Sequence, residues 1–238
     1  LEESAYLTAR SIRTDKPVVF TGAMRTSSDL SWDGPANLTD AVRVAACQKA
    51  AAYGVVVAFG GRIFTAADVT KVHTHLLDAF ESPGLGPVGV VDDDAVIFRR
   101  ALVPGPPPLA PVRPATPIDI IYAYEGADAR LLDAARAEGP GIVVAAFGRG
   151  NMPLAMYDGV RRWLEEGKPV VITSRAARGR VGPTYGFPGG GRSLADAGKV
   201  RVQAARRDRG NPGAAEAGLT GLAAQRVSLL RHGGHVQG

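Results

Sequence analysis

Residues 118–174 read IDIIYAYEGADARLLDAARAEGPGIVVAAFGRGNMPLAMYDGVRRWLEEGKPVVITS, and the order of patterns in this stretch decides the fold class. Ile118 to Tyr124 is an apolar, β-rich run, and Ala127 to Ala137 carries helical spacing. Ile142 to Phe147 is a second apolar run, Met152 to Glu166 a second helix, and Pro169 to Ser174 a third strand. Strands alternating with helices need crossover connections, and those connections make neighbouring strands parallel. The expectation is therefore an α/β domain over 118–198.

Upstream, residues 103–117 hold seven prolines (Pro104, Pro106, Pro107, Pro108, Pro111, Pro114 and Pro117). Such a segment neither joins a sheet nor sustains a helix, so a linker is expected there. The strand–helix alternation recurs before it. Pro17 to Met24 reads as a buried strand ending in a glycine turn, and Asp33-Gly34-Pro35 as a second turn. Asn37 is placed to cap a helix running to about Tyr53, with Leu38, Ala41, Val42, Ala45 and Ala46 as its apolar stripe. Gly54 ends that helix, and Val55 to Phe59 is the next buried strand. Residues 60–86 are polar with little period, and two short strands follow near Val88 to Val91 and Ala95 to Phe98. Domain one thus spans 1–102. At its start, Leu1-Glu2-Glu3-Ser4-Ala5 already reads as helix with no capping residue ahead of it. The first helix is expected to be entered partway, and the N-terminus to be a cut or processed end.

The net charge of +5 suggests a polyanion partner until it is located. From Lys199 onward seven basic residues face two acidic ones, which accounts for the whole excess and leaves the first 198 residues neutral. The body offers no basic face, so no nucleic-acid partner is expected of it. No apolar run reaches the length of a membrane span or reads as a signal peptide, so no membrane partner is expected either. Residues 199–238 are rich in Arg, Gly and Ala, with a short helix over 219–230 at most. Two readings of this tail stay open. One is a flexible basic segment, and the other, which the composition favours, is a departure from the ancestral reading frame. The tail also keeps open a non-catalytic α/β ligand-sensing or interaction module, whose mark would be salt-sensitive nucleic-acid binding lost on truncation after Gly198.

Few residues offer chemistry by themselves. Cys47, alone in the chain, excludes a disulfide framework and a cysteine-based zinc site, and its helical setting suits a small buried hydrophobe. Thr21-Gly22-Ala23-Met24-Arg25 ends a strand, where open α/β sheets place ligand crevices, although a plain strand-to-loop turn is the simpler explanation. Lys71 lies in the patternless stretch; a desolvated lysine beside a hydroxyl relays protons, while most lysines are simply solvated. His73 and His75 alternate as on one strand face, but two histidines without a third ligand make a weak metal site. Gly148-Arg149-Gly150-Asn151 lacks the rest of a dinucleotide fingerprint, and Asn151 suits a helix cap. Pro183 to Gly191 is a loop with several permissive glycines, suited to a lid or to a long turn.

Taken together, these segments resemble the bacterial L-asparaginase family. Leu1 to Tyr6 resembles the helix after that family's His-Gly-Thr-Asp-Thr motif. Lys16 to Val19, Thr21 to Arg25 and Asp33 to Leu38 resemble the next signature in order and spacing. Asp68-Val69-Thr70-Lys71 with Thr74, then Phe80, Ser82, Pro83, Gly86 and Pro87, resemble the segment after that. Gly148, Gly150 and Asn151 resemble its Gly-x-Gly-Asn turn, and Thr173-Ser174-Arg175 the following strand end. The likeness covers about residues 1–198. The fold it implies is α/β in two domains: a larger N-terminal parallel-sheet domain, incomplete here, and a smaller flavodoxin-like or Rossmann-like C-terminal one.

In that family a threonine attacks the side-chain amide, an acyl-enzyme forms, and water releases the acid. A second threonine, an aspartate and a lysine relay the proton, and backbone amides stabilise the oxyanion. The resemblance implies Lys71 as the relay lysine and Ala23 as the residue whose carbonyl holds the leaving amide nitrogen. It implies that Asn151 is lent to a neighbouring subunit's site within a dimer of dimers. L-asparagine, and L-glutamine beside it, are the implied substrates, with no cofactor and no metal, and a cytoplasmic location is expected. The family's nucleophile candidates, relay Thr–Asp pair, substrate-binding Asp and lid Tyr lie upstream and have no counterpart here. The polypeptide alone is thus expected to lack activity. After Gly198 the family's closing pattern is not followed.

Overall fold

The structure is a computed structural model that describes residues 1–102, 117–197 and 200–202. The chain divides into two compact units, Leu1–Pro111 and Val112–Gly238. The linker expected at 103–117, apart from Pro117, lies outside the described residues. So does the tail after Val202, with its short helix over 219–230.

The first unit begins with helix α1 (Glu2–Ser11) and strand β1 (Val18–Phe20), followed by helix α2 (Gly34–Ala46) and a 3-10 helix over Gln48–Tyr53. Strands β2 (Val55–Phe59), β3 (Arg62–Thr65), β4 (Thr70–Lys71), β5 (Phe80–Glu81), β6 (Gly89–Asp92) and β7 (Ala95–Phe98) complete it. Five strands form one sheet in the order β1-β2-β3-β6-β7, while β4 and β5 pair separately. Only β1 and β2 run parallel, with Val18 opposite Val55. The other neighbours in the sheet are antiparallel. Tight turns set two of these pairs, since a two-residue connection joins only antiparallel strands: Gly60 and Gly61, both at positive φ, make the β2–β3 hairpin, and Asp93 and Asp94 make the β6–β7 hairpin.

Strand β2 is the centre of this unit, and all five of its residues are buried. Period-two alternation sends Val55, Val57 and Phe59 to the face carrying Ala5 of α1, with Phe64 and Phe80. Val56 and Ala58 face Ala41 and Val44 of α2, with Ile63 and Val88. Burying a valine of this kind contributes roughly 1.5–3 kcal/mol.

Five local expectations need correction. The stretch 60–86 is not patternless, since it holds β3, whose Ile63, Phe64 and Thr65 are all buried, and the β4–β5 pair. Its strands are too short, and covered on too many sides, to show alternation. Helix α2 turns Asn37, Ala41 and Val44 inward and leaves Leu38 and Val42 exposed, so the apolar stripe is rotated. Asn37 is inside the helix, not at its cap. Cys47 is half-buried at an extended break between α2 and the 3-10 helix. His73 and His75 lie in a turn and not along a strand, for the Nδ1 of His73 accepts the amides of His75 and Leu76 at 3.0 Å each.

The second unit is the expected parallel α/β arrangement. Strands β8 (Asp119–Tyr122), β9 (Ile142–Ala146), β10 (Val170–Ser174) and β11 (Val200–Val202) lie in chain order and all run parallel. Helices α3 (Arg130–Arg136), α4 (Leu154–Glu165) and α5 (Gly191–Asp196) connect them. Right-handed crossovers between strands in sequential order deliver successive helices to the same face. Accordingly Leu132, Met156, Val160, Trp163 and Leu194 all join one core with Ile142, Val144 and Ile172. On the opposite face Val143 stands between Ile120 and Val171. No helix among the described residues is long and apolar enough to cross a membrane.

Candidate active site

Strand β1 ends at Phe20, and the Thr21–Arg25 turn leaves its carboxyl end. Thr21 Oγ1 donates to the Ala58 carbonyl at 2.7 Å, which fastens the turn to β2. Asp33, at the start of α2, accepts the amides of Met24 and Arg25 at 3.0 Å. One turn later Asn37, buried, donates from Nδ2 to the Gly22 carbonyl at 3.0 Å and to Asp33 Oδ2 at 2.9 Å. Its Oδ1 accepts the Gly60 amide at 3.0 Å. Ala23 is exposed, yet both of its neighbours are held.

Desolvation opposes the charge on Asp33, but the amides of Met24 and Arg25, its own amide and the Asn37 side chain together outweigh it. Its carboxyl therefore lies below the ordinary value of 3.8. A pKa lowered by folding contributes stability that is complete above the ordinary value and is lost as pH falls through the lowered one. The amide proton shifts of Met24 and Arg25 are thus expected to titrate together with a midpoint below 3.8. Asp33→Asn should abolish that titration; a midpoint above 3.8 would contradict the assignment.

Lys71 sits in β4, opposite Phe80 of β5. The turn before β4 is held by Thr65 Oγ1, which donates to Asp68 at 2.5 Å in a buried setting. The Lys71 amide donates to the carboxylate of Glu2, in the first turn of α1. Its side chain is exposed, with Nζ 6.0 Å from the centroid of the Phe80 ring. The same end of α1 reaches the other segment, because a Cβ built on Gly22 would lie 3.5 Å from Leu1 Cδ1. The amino end of α1 therefore touches both the turn bearing Ala23 and the strand bearing Lys71.

Asn151 belongs to the second unit. Gly150 has a φ of +107°, and a Cβ there would lie 2.6 Å from Val181 Cγ1, so only glycine fits. The tight turn pairs Phe147 with Asn151. Asn151 caps no helix, since Pro153 stands at the cap position of α4. Instead its Oδ1 accepts the Gly191 amide at 3.3 Å, and its Nδ2 has no acceptor among the described residues. Arg175 stacks 4.7 Å from the Phe147 ring and donates to the Ala123 carbonyl at 2.6 Å, which stiffens the same strand ends.

Neither notable depression contains Ala23, Lys71 or Asn151. One, of about 200 Å³, is lined by Tyr122, Tyr124, Asp128, Arg130 and Leu131 in the second unit. The other, open and about 470 Å³, borders the Thr21–Arg25 turn through Arg25, with Asp29, Ser31 and His75. Sequence reasoning missed Glu2, Asp33 and Asn37. The signal for the last two was their spacing of four, which stacks side chains on one helix face.

Residues 1–104 match the family model for the asparaginase N-terminal domain, and residues 117–207 match that for the glutaminase/asparaginase C-terminal domain. A probable L-asparaginase of Deinococcus radiodurans is 39% identical over 203 residues, covering 84% of this chain and 62% of that protein. A probable periplasmic L-asparaginase of Haemophilus influenzae is 35% identical over 185 residues, covering 75% of this chain and 53% of that protein. The chain thus spans less than two thirds of the length of these curated relatives. The crystal structure of a probable cytoplasmic L-asparaginase from Campylobacter jejuni superposes with a TM-score of 0.79 at 30% identity, covering 97% of this chain and 71% of that one.

Proposed function

Because this chain belongs to the asparaginase family, we propose that it is the scaffold of an amidohydrolase converting L-asparagine to L-aspartate and ammonia. A threonine hydroxyl attacks the side-chain amide carbon, and the tetrahedral oxyanion collapses to an ester as the C–N bond breaks. The nitrogen leaves as ammonia with the proton taken from the hydroxyl, and water then cleaves the ester. Lys71 relays the proton. The Ala23 carbonyl accepts a hydrogen bond from the leaving nitrogen, and Asn151 is lent to a neighbouring copy in a dimer of dimers. No metal or cofactor is needed for these steps.

The observation that carries this reading is the amino end of α1, where Leu1 lies against Gly22 and Glu2 accepts the Lys71 amide. The family motif that bears the relay threonine and aspartate precedes this helix. A residue joined ahead of Leu1 is therefore delivered beside both Ala23 and Lys71. That Asn151, a half-buried residue, leaves its Nδ2 without an acceptor among the described residues supports its service to a partner. By itself the Leu1–Gly238 polypeptide holds Lys71 but no threonine at the motif position of a nucleophile.

The test is product analysis on a chain extended ahead of Leu1 by a segment carrying the family's threonines. Equal yields of aspartate and ammonia are expected from L-asparagine, with L-glutamine as the second substrate assayed. A folded extended chain that hydrolyses neither amide would sink the proposal.

A further inference from the structure

We infer that Asp33 and Asn37 are positioning residues that aim the Ala23 carbonyl. The inference rests on the proposed contact between that carbonyl and the leaving nitrogen, and it adds two side chains to the site. A trans peptide is planar, with its C=O pointing opposite its N–H. The Met24 N–H belongs to the same plane as the Ala23 carbonyl and donates to Asp33 at 3.0 Å. Fixing that N–H on the carboxylate turns the Ala23 oxygen directly away from Asp33. The preceding plane is fixed as well, because the Gly22 carbonyl accepts from Asn37 Nδ2 at 3.0 Å. With a peptide plane held on each side, both backbone torsions of Ala23 are set.

The two side chains act as one device. Asn37 spends both amide hydrogens, one on Gly22 and one on Asp33 Oδ2, while its oxygen takes the Gly60 amide. Since β1 and β2 are parallel, Gly22 and Gly60 follow strand ends at the same edge of the sheet. Asn37, 3% exposed, ties those two ends together, so the turn carrying Ala23 takes its position from the central strand. Asp33 adds a second clamp by accepting the Arg25 amide at 3.0 Å. Three residues of the turn, Gly22, Met24 and Arg25, are thus held by two side chains that are also bonded to each other, while Ala23 between them stays exposed.

The test measures amide hydrogen exchange at Met24 and Arg25 in the Leu1–Gly238 chain, with Val57 of β2 reporting opening of the whole unit. Asp33→Ala is expected to speed exchange at both sites at least tenfold beyond any change at Val57, with Asp33→Asn intermediate. In the extended chain that hydrolyses asparagine, Asp33→Asn is expected to lower kcat at least tenfold while KM moves less than threefold. Exchange at Met24 and Arg25 that follows Val57 in every variant would overturn the inference. So would loop-like exchange at those sites in the unaltered chain, a measurement that needs no variant to fold. Altered exchange with unchanged kcat, while Lys71→Ala still removes activity, would overturn the positioning role and leave the proposed function standing. Hydrolysis that survives Lys71→Ala would instead count against the proposed function.

Discussion

Assayed with L-asparagine, the Leu1–Gly238 polypeptide is expected to release ammonia no faster than its own Lys71→Ala variant. A lysine relay accelerates reaction only by moving a proton between positioned groups, and on the proposed reading the threonine that Lys71 would serve belongs to a segment ahead of Leu1. The interactions it does make are structural: its amide on Glu2 and its ammonium near the Phe80 ring. Once a threonine-bearing segment is joined ahead of Leu1, the same substitution should cost about 10²–10⁴ in kcat, the usual worth of a proton-transfer group. Far-UV circular dichroism of both variants checks that the comparison is between folded chains. Turnover by Leu1–Gly238 above the Lys71→Ala background would show that another nucleophile operates within these residues.

The second large effect is on stability. Trp163→Ala is expected to destabilise the second unit by about 3–5 kcal/mol, the range for removing a fully buried aromatic side chain. Trp163 is wholly buried and lies in the core shared by α3, α4 and the sheet. Its indole Nε1 donates to the Leu132 carbonyl at 2.9 Å, and the Lys168 ammonium lies 5.4 Å from its ring. Gly139 packs so closely that a Cβ there would lie 2.9 Å from Trp163 Cη2, so at that end of the indole backbone, with no side chain to move, lines the space the ring would leave. Trp163→Phe keeps most of the burial and loses the hydrogen bond, at a cost of about 1 kcal/mol for that bond. Urea unfolding followed by circular dichroism measures both. The tryptophan fluorescence of the Ala variant then reports Trp32 alone, a residue of the first unit. A loss below about 1 kcal/mol for Trp163→Ala would mean that this side chain is not the keystone of the α4–sheet contact.

Much of the architecture is legible without coordinates. Strand β2 falls on the residues its apolar run marks, and β8, β9 and β10 fall within two residues of their marked ends. Strands β2, β9 and β10 read well because nearly continuous burial leaves nearly continuous apolar sequence. The face of α2 does not read well. Leu38 and Val42 look like core and are exposed, because Asn37 is drawn inward by the Gly22 carbonyl and the Gly60 amide. A polar side chain that satisfies buried backbone groups can set a helix's rotation against its own hydrophobic stripe. Residues 60–86 fail for another reason: β4 and β5 have two residues each, too few for any period to show.

The site is less legible than the fold. Ala23, Lys71 and Asn151 are singled out by motif resemblance, and nothing in their local composition distinguishes them from turn, surface and cap residues. What distinguishes the surroundings of Ala23 and Lys71 physically is contact between segments far apart in the chain, Glu2 with Lys71 and Asn37 with Gly60. Hydrogen bonds of that kind leave no periodic trace. Asp33 reads as a turn former and Asn37 as a cap, roles their residue types fill so commonly that the clamp they form goes unnoticed.

The second unit's strands lie in the order in which they are synthesised, β8 to β11, each paired only with its immediate predecessor and successor. Assembly of this sheet never has to hold a strand position open for a later arrival. Each added strand closes a single crossover loop, and the entropy of closing a loop rises only slowly with its length. The unit can therefore be built from one end as the chain emerges from the ribosome. The first unit differs: β3 must wait for β6, which arrives only after the β4–β5 excursion bearing Lys71 has been made. Lys71 thus lies on the excursion that the chain must complete before β6 can pair with β3 and close the larger sheet.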